Sequence, residues 1–315
     1  MTEKILVTGA TGFVGQALCR RLQADGHSVV KAVRSATGDD NQAVIGDLGD
    51  KTDWSGALKN VTAVIHLAAR VHVMEDTATD PLATFRRVNR DATKLLAEQA
   101  AENGVKRFIY LSSVKAAGEE SLNRPLKETD PPRPLDPYGQ SKREAEEALQ
   151  TIAEKTSMAV TVLRPPLVYG PGVKGNFLTL LNVCRKTLPL PLAAINNRRS
   201  LVFLDNLVDA IARAASVGKS GFSLYYVADE QAVSTPELIR AVGTALGKPS
   251  RLLPVPASIL SLLGRLTGKT AAVSRLTGSL EVDTGLIRQE LDWTPPYTLA
   301  QGLGQTAAWF LAKNP

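Results

Sequence analysis

The sequence predicts an α/β fold in which helices cover both faces of a parallel sheet. Three observations support this fold class: short apolar runs rich in β-branched residues, helical segments that alternate with them, and a glycine-rich turn after the first run. Strands covered on both faces are apolar throughout, as these runs are, and their alternation with helices indicates a doubly wound sheet. The predicted strands are 4–8, 28–33, 42–45, 61–67, 106–111 and 158–163.

The predicted helices occupy the intervals between these strands. After the first strand, apolar residues recur at the spacing of one helical face, at Phe13, Ala17, Leu18 and Leu22. Residues 81–102 are predicted to form a long helix, because Pro81 suits a first turn and Gly104 provides a stop. Residues 138–155 are predicted to form another long helix.

The glycine-rich turn is Gly9-Ala10-Thr11-Gly12-Phe13-Val14-Gly15, between the first strand and the first helix. Gly9 permits a sharp turn, Gly12 lets backbone N–H groups approach a pyrophosphate, and Gly15 lets the helix pack closely on the strand. The spacing is a variant of GxGxxG, so an ordinary tight turn is the alternative. The strand before it, the helix after it and the next strand favour a Rossmann-type dinucleotide-binding domain.

The pattern of the sequence changes after the strand 158–163, which is followed by Arg164-Pro165-Pro166. Prolines then punctuate short helices and isolated strands. We therefore predict a dinucleotide-binding domain over residues 1–165 and a smaller, discontinuous substrate lobe over residues 166–315. Segments near 201–227 are predicted to return to the first domain.

Composition limits the classes of partner. The 315-residue chain has a net charge of +6 and a pI near 9.3, but no run of like charges, so we predict no nucleic-acid partner. Two cysteines, Cys19 and Cys184, and a first strand that leaves no room for a signal peptide favour the cytoplasm. No apolar stretch reaches the ~18 residues of a spanning helix, and residues 255–266 are interpreted as a core or interfacial helix, so no membrane partner is predicted. We predict no metal site.

A candidate proton-transfer pair lies at the start of the helix over residues 138–155. Tyr138 and Lys142 are four residues apart, so both side chains project from one helical face. A nearby ammonium is expected to lower the pKa of the phenol and let it exchange a proton with a hydroxyl or ketone. Ser113 follows a predicted strand at the edge where ligands bind, and its hydroxyl is suited to the reacting oxygen. The alternatives are a solvated Tyr–Lys pair and a serine that caps a loop.

Several ordered motifs resemble the extended short-chain dehydrogenase/reductase family, in particular its nucleotide-sugar 4-epimerase and 4-keto-sugar reductase branch. They are GATGFVG, GDL at 46–48, HLAA at 66–69, VN at 88–89, LSS at 111–113, YGQSK at 138–142 and RPPLVYGPG at 164–172. The resemblance implies that Tyr138 is the catalytic acid/base, that Lys142 tunes it and holds the nicotinamide ribose, and that Ser113 is the third catalytic member.

The resemblance also implies the cofactor and substrate contacts. The implied cofactor residues are Gly9, Thr11, Gly12, Phe13, Val14, Gly15, Asp47, Leu48, Leu67, Ala68, Ala69, Asn89, Lys142 and Pro165. The implied substrate residues are Ser113, Asn176, Arg198, Arg199 and Arg275, with either Arg198 or Arg199 on the diphosphate. Considered without the family, Asp47 is a loop carboxylate and His66 a core histidine.

Two departures from the family pattern bear on the reaction. Where many NAD-linked relatives end the second strand with an acidic residue, this chain has Val33 and Arg34, so NADP(H) is favoured and NAD(H) is the alternative. An ordinary surface cation is the other interpretation of Arg34. Val114-Lys115 replaces the Asp-Glu pair of the dehydratases, which argues against a 4,6-dehydratase.

The sequence therefore predicts an NADPH-dependent reductase of a UDP-4-keto-6-deoxy-hexose, with a 2-acetamido sugar favoured. The alternative is a UDP-sugar 4-epimerase that retains NAD, and a remote alternative is a non-catalytic cofactor-sensing protein. The sequence decides neither the exact sugar nor the configuration at C4. A homodimer through the two long helices is a further expectation from the resemblance.

Overall fold

The computed structural model describes residues 2–36, 38–39, 41–71, 80–268 and 270–314. Nine strands are assigned within these ranges. They are β1 Lys4–Thr8, β2 Ser28–Val33, β3 Gln42–Val44, β4 Ala63–His66, β5 Arg107–Leu111, β6 Ala159–Arg164, β7 Leu167–Tyr169, β8 Leu201–Phe203 and β9 Phe222–Tyr226. The six strands predicted in the first half of the chain are confirmed, with ends that differ by up to two residues.

Seven of these strands form one parallel sheet in the order β3-β2-β1-β4-β5-β6-β9. The strand order reverses between β1 and β4, which is where a doubly wound sheet opens its binding crevice. The predicted fold class is therefore confirmed. The remaining strands, β7 and β8, pair with each other in a separate two-stranded parallel sheet.

Eleven α-helices are assigned in the described ranges. They are α1 Phe13–Ala24, α2 Pro81–Arg86, α3 Ala92–Glu102, α4 Pro137–Lys155, α5 Gly175–Arg185, α6 Leu204–Val217, α7 Thr235–Ala245, α8 Ala257–Leu266, α9 Thr270–Thr277, α10 Gly285–Leu291 and α11 Leu299–Lys313. The prediction of a single long helix over 81–102 is wrong in one respect, because a π-helical turn, Arg87–Asp91, separates α2 from α3. Such turns insert an extra residue into a helix and often mark functional sites.

Both faces of the central sheet are covered. Ile5 of β1 packs with Leu18 of α1 and Ile211 of α6 on one face. The next residue, Leu6, packs on the other face with a cluster that includes Leu96 of α3. Adjacent strand residues point to opposite faces, so two apolar layers explain why the strands are apolar without alternation.

Buried residues of the second half of the chain form a third apolar cluster. It joins β7 and β8 to helices α5, α7, α8 and α11, with Tyr169 and Phe203 at its centre. Within the same half, β9 pairs with β6 of the central sheet and α6 packs on α1. In the part of the chain that the structure describes, no helix is both long and apolar enough to cross a bilayer.

Candidate active site

The residues predicted to form the site follow the carboxyl ends of neighbouring strands. The glycine-rich turn follows β1, Leu67 and Ala68 follow β4, Ser113 follows β5 and Pro165 follows β6. Because the strands are parallel, these segments meet at one edge of the sheet. Among them, the Pro165 carbonyl accepts a hydrogen bond from the Val114 backbone N–H at 2.9 Å, which joins the ends of β5 and β6.

The glycine-rich turn has the close backbone contacts that its glycines predict. Gly9 has φ +66°, and a Cβ there would lie 2.8 Å from the Ala68 nitrogen. A Cβ on Gly15 would lie 2.1 Å from the Gly9 carbonyl oxygen. Helix α1 begins after Gly12 with no side-chain cap and no acidic residue in its first turn. Its first N–H groups and the positive end of its dipole therefore suit a pyrophosphate, so these residues fit a bound dinucleotide.

A chain of hydrogen bonds runs through buried His66 and connects the turn to the helical layer. The Ala68 N–H donates to Thr8 Oγ1 at 3.1 Å, and Thr8 Oγ1 lies 2.7 Å from His66 Nδ1. On the other side of the ring, Nε2 lies 2.9 Å from Thr93 Oγ1, which donates to the Asn89 carbonyl at 2.8 Å. Since Thr93 donates its own proton onward, we assign the histidine proton to Nε2.

Burial holds His66 in this neutral form. Desolvation, followed by the charge of Lys142, lowers the pKa of His66 to about 3. The interpretation of His66 as a satisfied core histidine agrees with this geometry. Its hydrogen bonds connect the Ala68 segment with the π turn on the opposite side of the ring.

Asn89 lies in that π turn and is buried. Its side-chain oxygen accepts a hydrogen bond from the Arg70 N–H at 2.8 Å, and its amide group donates to the Arg70 carbonyl and to Ser141 Oγ, both at 3.0 Å. Ser141 Oγ in turn donates to the Tyr138 carbonyl at 2.8 Å. Asn89 therefore fastens the segment after β4 to the first turn of α4.

The first turn of α4 places Tyr138 against the segment that follows β5. The Asp136 side chain caps the helix by accepting from the Gly139 N–H at 2.7 Å, and Pro137 occupies the first helical position. A Cβ on Gly139 would lie 2.4 Å from the Lys115 carbonyl oxygen, so glycine allows this close approach. The Tyr138 hydroxyl lies close enough to Ser113 for their interaction to lower the pKa of the tyrosine. The structure thus brings the predicted serine and tyrosine together.

Lys142 lies one turn further along α4 and is buried. Its Nζ donates to the Leu111 carbonyl at 2.9 Å and lies 4.5 Å from the centroid of the Tyr110 ring. Burial lowers the pKa of Lys142 to about 7, and the nearby Glu146 carboxylate opposes this shift.

The expected lowering of the Tyr138 pKa is not found. Burial raises the pKa of Tyr138 to about 12; the hydrogen bond with Ser113 lowers it and the Asp136 charge raises it. The prediction that Lys142 makes this phenol unusually acidic is therefore wrong, because desolvation outweighs the other effects.

Sequence reasoning missed a buried ion pair directly behind the site. The Arg164 side chain donates to the Glu146 carboxylate through Nε at 2.9 Å and through Nη2 at 2.5 Å, and both side chains are almost completely buried. Ser112 Oγ also donates to this carboxylate at 2.6 Å, and Arg164 Nη1 donates to the Tyr226 hydroxyl at 3.3 Å. The spacing gave a signal: Glu146 follows Lys142 by four residues, as Lys142 follows Tyr138.

The predicted adenine-side residues lie at the ends of β2 and β3. Arg34 is exposed immediately after β2, and Asp47 is exposed beyond β3. Leu48 is partly buried against the apolar layer that contains Leu96. Asp47 also accepts a hydrogen bond from Thr52 Oγ1 through its backbone carbonyl at 3.2 Å.

Besides Ser113, four substrate residues were predicted, all of them in the second half of the chain. Asn176 is exposed in the first turn of α5. Arg198 is exposed and forms an ion pair with Glu281, through two contacts of 2.9 Å. Arg199 is half-buried, and its Nη1 donates to the Arg275 carbonyl at 2.9 Å and to the Gly278 carbonyl at 3.0 Å. Arg199 and Arg275 are thus brought together, whereas Arg198 already has an anionic partner.

A doubly wound sheet with a glycine-rich turn after its first strand and a Ser–Tyr pair at its carboxyl edge is typical of nicotinamide-dependent oxidoreductases. Residues 5–227 match the NAD dependent epimerase/dehydratase family, and the chain belongs to this family. It is an enzyme of that family, and the predicted resemblance is confirmed.

The comparisons also identify similar proteins over the full length. A "UDP-glucose 4-epimerase" of Vibrio cholerae is 45% identical over 319 residues, which cover 100% of this chain and 97% of that protein. An "N-acetyl-alpha-D-glucosaminyl-diphospho-ditrans,octacis-undecaprenol 4-epimerase" of Escherichia coli O157:H7 is 29% identical and covers 97% and 95% of the two chains. The solved structure "MoeE5 in complex with UDP-glucose and NAD" is 25% identical with a TM-score of 0.76, covering 99% of this chain and 100% of that one.

Proposed function

We propose that the protein is an NAD-dependent UDP-sugar 4-epimerase, with UDP-glucose and UDP-galactose as the first substrates to test. The observation that carries this proposal is the placement of the Ser113 and Tyr138 hydroxyls at the sheet edge, in a chain 45% identical to a named UDP-glucose 4-epimerase over its whole length. The relatives favour this alternative over the reductase that the sequence predicted.

In the proposed reaction, NAD held at the glycine-rich turn would supply the hydride acceptor for C4 of the sugar and the hydride that restores it on the other face. Tyr138 takes the proton of the C4 hydroxyl as the ketone forms and gives it back as the alcohol is restored. The Ser113 hydroxyl donates a hydrogen bond to the same oxygen and stabilises its negative charge. Lys142 contributes its remaining Nζ donors to the cofactor ribose, since one of the three already binds the Leu111 carbonyl.

Arg199 is proposed to bind the substrate diphosphate in preference to Arg198. Both known partners of its guanidinium are uncharged carbonyls, so its positive charge is not neutralised by them. Burial lowers the pKa of Arg199, which shows that desolvation acts on this charge, and an anion would compensate it. Asn176 on α5 is proposed as an additional polar contact to the substrate.

NAD is the proposed cofactor, because the solved structure at 25% identity is a complex with NAD. The exposed Arg34 was the reason to expect NADP(H). For an epimerase, which returns the hydride in each cycle, exchange with an external pool of reducing cofactor is not required. Arg34 is then a surface cation beside the adenosine end of the crevice.

The deciding experiment combines cofactor identification with turnover. We expect protein purified without added nucleotide to release NAD on denaturation and to interconvert UDP-glucose and UDP-galactose without net NADPH consumption. Y138F should lower kcat by about 10²- to 10⁴-fold, the usual contribution of a positioned acid/base, while it retains NAD. Y225F is the matched control, since the Tyr225 hydroxyl bonds Glu290 at 2.7 Å on α10.

Two results would contradict the proposal. Stoichiometric NADPH oxidation with a UDP-4-keto-sugar, and no epimerisation, would restore the reductase. Full activity in Y138F would remove Tyr138 from the mechanism, whatever the substrate.

Two further expectations stay predictions. A homodimer through α3 and α4 is tested by sedimentation velocity, and residence in the cytoplasm by fractionation of the producing cells.

A further inference from the structure

Helix α8 exposes an apolar stripe. Four large aliphatic side chains with relative exposures of 47–75% share one helical face, at the i, i+3, i+4 and i+7 positions. They are Ile259, Leu262, Leu263 and Leu266. Leu253, before the helix, and Leu276, on α9, are also exposed and belong to the same segment of the chain. A contiguous stripe of this kind is uncommon on a protein surface and indicates an interaction site.

Among the residues that the structure describes, none covers this stripe. Helix α8 packs inward through its opposite face, where Leu260 joins the apolar cluster of the second half of the chain. Gly264 lies against α9 so closely that an added Cβ would be 2.8 Å from the Val273 side chain. The buried inner face of residues 255–266 fits the interpretation as a core helix, and the exposed outer face fits the alternative of an interfacial helix.

The charge of the surrounding segment is one-sided. Residues 238–280 contain no Asp or Glu, and their basic residues are Arg240, Lys248, Arg251, Arg265, Lys269 and Arg275. The whole chain has 37 basic and 31 acidic residues, so the remainder has 31 of each, and this segment accounts for the entire net charge of +6. Arg265 lies about 60° around the helix from Leu262, at the border of the stripe, by the ~100° turn per residue.

We propose that the segment 238–280 docks on an anionic phospholipid surface, with α8 lying in the plane of the interface. An apolar helical face inserts among the acyl chains, while flanking basic side chains meet the negative headgroups. A second copy of the chain is a poorer occupant, because a twofold contact through this face would bring two positively charged segments together. The ten residues of α8 are about 15 Å long, which suits a helix that lies on a bilayer and is too short to span it.

The test is co-sedimentation of the full-length protein with vesicles. We expect binding to vesicles of phosphatidylcholine mixed with phosphatidylglycerol, little binding to phosphatidylcholine alone, and release as salt is raised. L262E/L266E should weaken binding to the anionic vesicles by at least about tenfold, since it removes inserted apolar area and adds negative charge. The matched control is L122E/L135E, at two leucines with exposures of 81% and 72% outside the segment, which should bind as the original protein does.

The competing outcomes are distinct. Absence of binding to anionic vesicles, or equal binding by L262E/L266E, overturns the proposal. If L262E/L266E instead lowers the sedimentation coefficient of the protein alone and leaves vesicle binding unchanged, the stripe is a contact between copies of the chain. Vesicle binding requires no turnover, so the result stands whether or not the 4-epimerase proposal holds.

Discussion

Helices α4 and α8 depart from the usual burial of side chains in opposite directions. Helix α4 buries a lysine and a glutamate, Lys142 and Glu146, on the face turned towards the sheet. Helix α8 leaves Leu262 and Leu266 exposed on the face turned away from its apolar cluster. Buried charge and exposed apolar surface both cost free energy. Each therefore indicates a region that has a role beyond stabilising the isolated chain.

The two regions differ in how these costs are met. On α4 each buried charge has partners inside the protein: the Leu111 carbonyl for Lys142, and Arg164 with Ser112 for Glu146. On α8 the protein supplies no cover for the stripe among the residues described. Substitutions of the buried charges on α4 should therefore lower the free energy of unfolding strongly. Substitutions in the stripe on α8 should leave it almost unchanged until a partner is present.

The largest expected effect is on the buried ion pair. R164M removes the guanidinium and leaves the Glu146 carboxylate, of which 0% is exposed, without its main partner. The free energy of unfolding should fall by about 3–5 kcal/mol, the usual cost of an uncompensated buried charge. Chemical denaturation measures it. R124M is the matched control: it breaks the ion pair of Arg124, a side chain that is 59% exposed, and should cause a far smaller loss.

A double variant sharpens this comparison. In R164M/E146M both charges are replaced by apolar side chains of similar length, so most of the lost stability should return. If R164M has the same free energy of unfolding as the original protein, an unpaired Glu146 carboxylate does not destabilise the fold.

An intermediate effect is expected for His66 and depends on pH. The neutral ring in the folded state has a pKa lowered to about 3 by burial and then by the Lys142 charge, against 6.5 ordinarily. Between these values the unfolded chain binds a proton that the folded protein does not, so stability should fall as pH decreases, by about 1.4 kcal/mol per pH unit from this residue. In H66Q this part of the acid dependence should disappear. The measurement is urea denaturation at intervals from pH 7 to pH 4.

Thr93 provides the control for this dependence. T93V removes a hydrogen-bond partner of the same ring without removing a titrating group, so its loss of stability should be similar across the pH range. If the free energy of unfolding of H66Q and of the original protein changes with pH in the same way, His66 does not contribute to acid unfolding.

The features predicted from the sequence are those that depend on neighbours along the chain. The strand, glycine-rich turn and helix at Gly9 to Gly15 follow from local backbone demands, and the shared face of Tyr138 and Lys142 follows from helical spacing. The position of Ser113 at the ligand-binding edge was also predictable, because the carboxyl ends of parallel strands meet at one edge of the sheet.

The features missed depend on residues that are distant in the sequence or on burial. The raised pKa of Tyr138 results first from desolvation, which no spacing reveals. Arg164 and Glu146 are 18 residues apart, and Arg198 and Glu281 are 83 apart. Helical spacing places Glu146 on the face of Lys142, but it identifies neither of the arginine partners. The outer face of α8 has the composition of a core helix, and only its position in the fold shows that it is exposed.

The smallest expected effect is on the outer face of α8, and it tests the comparison most directly. L262A truncates a side chain that is 57% exposed, so without vesicles it should change the free energy of unfolding by less than about 0.5 kcal/mol. L260A, two residues earlier on the same helix, truncates a side chain that is only 8% exposed within the apolar cluster and should cost about 2 kcal/mol or more. Both replacements improve helix propensity slightly and equally, so the difference between them reports burial alone. A comparable loss of stability from L262A would mean that Leu262 is covered in solution even without lipid. Helices α4 and α8 would then both be buried on these faces, and they would differ only in that α4 buries charged side chains and α8 apolar ones.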